Sequence, residues 1–199
     1  MEKLPLENFF WMNPPQNFEL RNDQLIFTTE PETDFWQKTY YGFQHDNAPA
    51  FLTRKTGDFS LQVKVEFAGA RHMYDQSGML VYQNQDYWMK ASVECENDAV
   101  SRLGSVVTNG GYSDWASRDI DAAVSEIWYR LSHRGQDFLV ESSFDGKEFQ
   151  QMRIFHLGGS CSQVNVGVYA CSPLNSSFTV VFSGFKAGSC LWKSPHEQE

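Results

Sequence analysis

Phe59-Ser60-Leu61-Gln62-Val63-Lys64-Val65-Glu66-Phe67 alternates apolar and polar side chains without interruption. Successive side chains of an extended chain point to opposite faces, so a period of two reads as a strand with one face in a core and the other in water. The pattern recurs. Trp128 to His133 and Phe138 to Phe144 continue it, and Asp145-Gly146 leads the second run into Phe149 to Phe155 as a hairpin turn would. Val164, Val166, Val168 and Ala170 alternate, as do Phe178, Val180 and Phe182. Nearer the start, Asn22-Asp23 separates Phe18 and Leu20 from Leu25 and Phe27, a second hairpin signal. Helical spacing is confined to Ile120 to Glu126, a segment equally readable as a loop into the next strand. Turn signals recurring about every 8 to 12 residues imply an all-β fold of two packed antiparallel sheets, a sandwich or jelly roll.

The 199 residues suffice for one large domain spanning 1–199, with its core from about 8 to 190 and a frayed polar tail at Ser194-Pro195-His196-Glu197-Gln198-Glu199. Hydrophobic residues at 41% and aromatics at 15% supply a core and argue against disorder. A formal net charge of −9 disfavours a surface that tracks phosphates, so nucleic acid is not an expected partner. No apolar run reaches the ~18 residues of a membrane span. The first residues lack the basic and apolar segments of a secretory signal, and the expected location is cytoplasmic. Cys95, Cys161, Cys171 and Cys190 show no close-pair spacing and read as reduced thiols. The histidines have no metal-type pairing, with His72 and His133 expected at strand ends or on the surface. No phosphate loop or nucleophile elbow occurs and no loop has a recognisable oxygen-ligand spacing, so no cofactor or metal is expected, with calcium, which some sandwich lectins use, left open.

Function is sought in Tyr87-Trp88-Met89-Lys90-Ala91-Ser92-Val93-Glu94. Alternation sends Tyr87, Met89, Ala91 and Val93 to the core and Trp88, Lys90, Ser92 and Glu94 to the other face. A flat ring, a cation, a hydroxyl and a carboxylate in one row suit a polyhydroxylated ligand, the ring stacking and its neighbours exchanging hydrogen bonds. An ordinary solvated sheet face, with Lys90 and Glu94 in an ion network, has the same composition. Asp75, at the entry of the preceding strand, and Tyr112, Asp114 and Trp115, on the Gly-rich Asn109-Gly110-Gly111 loop, are placed at one end of this face. Trp115 also reads as a plug for the end of the sandwich.

Tyr74-Asp75-Gln76-Ser77-Gly78, then Tyr87-Trp88-Met89-Lys90 with Glu94, then Ser105-Val106-Val107-Thr108 through Tyr112-Ser113-Asp114-Trp115 occur in this order. Together with Asp34-Phe35-Trp36, His45-Asp46 and Phe144-Asp145-Gly146, they resemble the DUF1349 family of concanavalin A-like sandwich proteins from about Trp11 to Lys186. The resemblance implies two curved antiparallel sheets and a concave groove in which proteins of this fold often hold saccharides. It also implies kinship with a branch linked to regulation of the metabolic enzyme enolase. The ligand-binding set expected on this basis is His45, Tyr74, Asp75, Trp88, Lys90, Glu94, Tyr112, Asp114 and Trp115.

Three functions follow. The first is binding of a carbohydrate or similar polyhydroxylated ligand in the concave groove, non-catalytic or with catalysis unproven, and the second is an interaction module acting on a metabolic enzyme such as enolase. The third is glycoside hydrolysis, with Glu94, Asp75 and Asp114 as the candidate carboxylates. Sandwich glucanases of the laminarinase type carry Glu-x-Asp-x-x-Glu on one strand. Here the run is Glu94-Cys95-Glu96-Asn97-Asp98-Ala99, whose last position is alanine and whose Asn97-Asp98 reads as a turn.

Overall fold

The computed structural model describes residues 1–69, 71–159 and 163–193. Cys161 and the C-terminal tail lie outside the described residues. Among the described residues the architecture is two antiparallel sheets packed face to face, the β-sandwich of a jelly roll. One sheet runs β15 (Gln150–His156), β14 (Asp137–Ser143), β13 (Glu126–Arg134), β8 (Phe59–Ala68), β17 (Thr179–Gly188), β4 (Gln24–Thr28), β3 (Phe18–Arg21), with β1 (Glu2–Lys3) also paired to β17. The other runs β12 (Tyr112–Asp121), β11 (Val100–Asn109), β10 (Tyr87–Cys95), β9 (Gln76–Asn84), β16 (Val164–Cys171), β7 (Ala50–Lys55), β2 (Phe10–Met12). The remaining pair, β5 (Phe35–Gln37) and β6 (Gln44–Asp46), forms a small ribbon of its own.

The alternation in β8 does what its period dictates. Leu61, Val63 and Val65 point inward and meet Ile127, Tyr129, Leu131, Met89, Ala91 and Val93 in one buried cluster between the sheets. The hairpin signals hold as well, since β3 pairs with β4 across Asn22-Asp23 and β14 with β15 across the Asp145-Gly146 connection. Ile120 to Glu126 closes β12, turns and opens β13, so the ambiguous segment is strand end and loop. Tyr87 departs from the expectation: a register shift between Tyr87 and Trp88 takes it out of the alternation, and its ring lies beside Gly158. His133 is buried, on β13 between Phe59 and Phe138, with Nδ1 at 2.8 Å from the Gly57 carbonyl. Its place near the end of the strand is one of the two expected, and it is buried there because the neighbouring aromatics extend the core over it.

A second apolar cluster lies on the far side of the β10 sheet. Leu80, Trp88, Val106, Tyr169 and Cys171 project outward from four strands and are covered by Phe35 and Trp36 of the small ribbon. The described residues therefore form three layers, and the β5–β6 ribbon is the third.

Two glycines let the central strands approach. A Cβ on Gly78 would stand 1.8 Å from the Ala91 carbonyl oxygen, and one on Gly167 would stand 2.1 Å from that of Phe51. Both obstacles are backbone of a neighbouring strand and cannot rotate away. Gly78→Ala is expected to abolish folding, read as loss of soluble protein and of cooperative thermal unfolding; a variant melting within a few degrees of the parent would contradict this.

Candidate functional site

The outward face of β10 is divided. At its start Trp88 is wholly buried, with Phe35 ring to ring at 5.8 Å and its indole N–H donated to the Gln85 carbonyl at 3.1 Å. Farther along, Lys90, Ser92 and Glu94 line an open cavity of ≈ 290 Å³. That volume is just below the range for small-molecule sites, about 300–1,000 Å³.

The ribbon that covers Trp88 also forms one wall. Trp36, Tyr41, Phe43 and His45 line the cavity from this side, with Tyr41 and Phe43 stacked at 15° and Trp36 edge-on to Tyr41. Trp115, on β12, forms another wall. Its indole nitrogen is 2.9 Å from where a Cβ of Gly104 would be, so the missing side chain lets the ring lie close against β11. Tyr74, with φ of 70°, and Leu174 complete the mouth.

The polar floor is a connected network. Lys90 Nζ donates to Asp34 Oδ1 at 2.7 Å, and the two side chains are only 5% and 14% exposed. Burial alone would lower the Lys90 pKa, but the charge of Asp34 offsets it and leaves the ammonium above its ordinary value. Tyr169 donates to Gln76 Oε1 at 2.9 Å, which turns the other end of the amide toward Glu94 Oε2, also at 2.9 Å. Glu94 is only partly withdrawn from water, yet desolvation outweighs the attraction of Lys90 and pushes its pKa up to about 7. Arg102, at the rim, is paired with Glu96 at 3.1 Å and Asp119 at 2.7 Å.

Of the nine residues expected to bind a ligand, His45, Tyr74, Lys90, Glu94 and Trp115 line the cavity. Trp88 does not, because Phe35 and Trp36 cover its ring. Asp75 is fully buried and structural, accepting from the His72 backbone N–H at 2.7 Å and the Ser176 hydroxyl at 2.8 Å. Asp114 pairs in register with Val107, which points to the inner core, so it sits on the wrong face and binds Arg153 of β15 instead. Tyr112 is on that same parity, exposed, with Lys38 over its ring at 5.3 Å. The proposed carboxylate set for hydrolysis is thereby reduced to Glu94 within the cavity. Asp34, Trp36, Tyr41, Phe43, Gln76 and Arg102 were not anticipated as site residues. The dense run Tyr40-Tyr41-Gly42-Phe43 was the available signal.

Fold and cavity define a concanavalin A-like sandwich with an open cavity on the outer face of one sheet. The chain belongs to the DUF1349 family, described as a protein of unknown function, whose model matches residues 11–190. It is 31% identical over 188 residues to Regulation of enolase protein 1 of Saccharomyces cerevisiae, covering 94% of this chain and 92% of that one. The crystal structure of a functionally unknown protein from Saccharomyces cerevisiae superposes with a TM-score of 0.88 at 28% identity, covering 95% of this chain and all of the other. The GH43 protein BlXynB of Bacillus licheniformis superposes at 0.72 with 15% identity, but the match takes in 38% of that longer chain. That likeness shows a shared fold. Among the described residues no helix is long and apolar enough to cross a membrane.

The position of Glu94 has a cost that depends on pH. Its folded pKa of about 7 lies above the ordinary 4.5, so the native state holds a proton that the unfolded chain releases as pH rises between these values. The destabilisation is absent below pH 4.5, grows toward pH 7 and then levels off. Glu94→Gln removes the charge and is expected to raise stability by about 1–3 kcal/mol at pH 8, the upper figure being the full shift and the lower a discount for solvent screening. At pH 4 the two proteins are expected to unfold alike. Denaturant melts at both pH values check this, and equal stability at pH 8 would contradict it.

Proposed function

We propose that this protein binds a carbohydrate or similar polyhydroxylated small molecule in the cavity between Trp115 and the β5–β6 ribbon. The observation that carries the reading is the combination of aromatic walls with a floor of oriented polar groups. Sugar rings present apolar C–H faces and a belt of hydroxyls, so they stack on indole and phenol while exchanging hydrogen bonds with Glu94, Ser92, Gln76 and Lys90. A volume near 290 Å³ fits a ligand of one or two rings rather than a long chain. The fold shared with BlXynB supports the reading by analogy only.

A second reading is a regulatory contact with a metabolic enzyme such as enolase. Its support is the yeast relative, whose name states regulation of enolase and whose length is matched almost throughout. The two readings are compatible if ligand occupancy controls the contact. Glycoside hydrolysis is the weakest of the three. Glu94 has the raised pKa of a general acid, but Asp34, the other cavity carboxylate in the buried floor, is already bound to Lys90.

Trp115 offers the clean test, since it is 43% exposed and belongs to neither buried cluster. Calorimetry with a panel of mono- and disaccharides is expected to find a ligand whose affinity falls about tenfold or more in Trp115→Ala, the loss of one stacking face. The melting temperature is expected to stay nearly unchanged. Absence of binding across the panel at millimolar concentration would overturn the reading.

A further inference from the structure

We propose that the ligand of this cavity carries a positive charge, an ammonium group held by Glu94 against the aromatic walls. The inference rests on the cavity being a ligand site, as argued above, and adds which chemistry it selects.

The two lysine and arginine side chains of the cavity are already committed. Lys90 is bound to the buried Asp34, and Arg102 is bound on one side to Glu96 and on the other to Asp119. Neither is left to neutralise an incoming carboxylate or phosphate. Glu94 is the converse case: among the described residues its side chain receives a neutral amide, that of Gln76, and forms no ion pair. Glu32 adds another carboxylate to the lining. Carboxylates therefore outnumber lysine and arginine around the opening, and Glu94, although attracted by Lys90 and Arg102, is bonded to neither.

The walls point the same way. Trp36, Tyr41, Phe43, Tyr74 and Trp115 surround the space, and the face of an aromatic ring carries negative electrostatic potential. Such rings accept the C–H face of a neutral sugar and also attract an ammonium, whereas they repel an anion. A carboxylate partly withdrawn from water beside aromatic faces is a favourable setting for a cation, since the incoming charge offsets the desolvation the carboxylate already bears. An aminated sugar or polyol satisfies the hydroxyl-binding floor and the anionic wall together. The ammonium of a lysine side chain supplies the same charge from a protein source.

Calorimetry at pH 7 and low ionic strength with glucose, glucosamine, glucuronate and Nα-acetyl-lysine methylamide decides the matter. Glucosamine is expected to bind about tenfold or more tightly than glucose, the scale of a charge-assisted hydrogen bond. Glucuronate is expected to bind more weakly than glucose. In Glu94→Gln the advantage of glucosamine over glucose is expected to vanish. Equal affinity for glucose and glucosamine, or a preference for glucuronate, overturns the ammonium inference and leaves the sugar reading in place. Binding of the lysine amide without any sugar upholds the ammonium inference, assigns it to a protein source and overturns the sugar reading. Failure of all four to bind overturns both.

Discussion

The ion pair between Asp34 and Lys90 is the constraint on which the site depends. Lys90 rises from the middle of a sheet strand and Asp34 immediately precedes β5, so one bond at 2.7 Å ties the third layer to the second. Asp34 is itself fixed: its backbone N–H donates to Asn47 Oδ1 at 3.0 Å, and its Oδ1 also accepts the Phe35 N–H at 2.7 Å. A buried pair of this kind contributes little net stability against an apolar replacement, but removing one partner strands the other and costs about 3–5 kcal/mol. Its effect is positional. It sets where the ribbon stops covering β10, and hence where the buried Trp88 gives way to the open floor at Ser92 and Glu94.

Other contacts hold the ribbon in the same place. The Gln37 N–H donates to Ser113 Oγ at 2.9 Å, Tyr82 donates to Asp46 Oδ2 at 2.7 Å, and Phe35 fills the space over Trp88, Tyr82 and Tyr169. With the ribbon so anchored, the aromatic run that follows Trp36 is presented to the cavity as a wall. Glu94 shows what such a site costs. Its carboxylate would be easier to hold in water, and the fold keeps it in a partly dry position where it is bonded to an amide and the attraction of Lys90 and Arg102 does not make up for the lost hydration. Stability given up at one residue is a common mark of a binding site.

The fold was legible because its signal is local. Period-two alternation in β8, β13 and β16 depends only on neighbouring residues, and the turn residues between hairpin strands act where they stand. Half of the site was legible for the same reason, since the parity of β10 correctly put Lys90 and Glu94 on the outer face. Trp88 obeys that parity too, yet parity cannot show that Phe35, distant in sequence, lies on top of it. Asp114 failed differently. It directly precedes Trp115, so on a strand only one of the two can face the cavity, and Trp115 does. Asp75 looked like a ligand carboxylate because its partners, His72 and Ser176, come together only when the chain is folded.

Native-state hydrogen exchange on Lys90→Met tests the central claim directly. Loss of the pair should let the ribbon open locally, so amides of Phe35–Gln37 and Gln44–Asp46 are predicted to exchange about 100-fold or more faster, while those of Met89, Ala91 and Val93 keep their protection relative to the new global stability. Unchanged protection in the ribbon, or a loss spread evenly over every strand, would contradict the account.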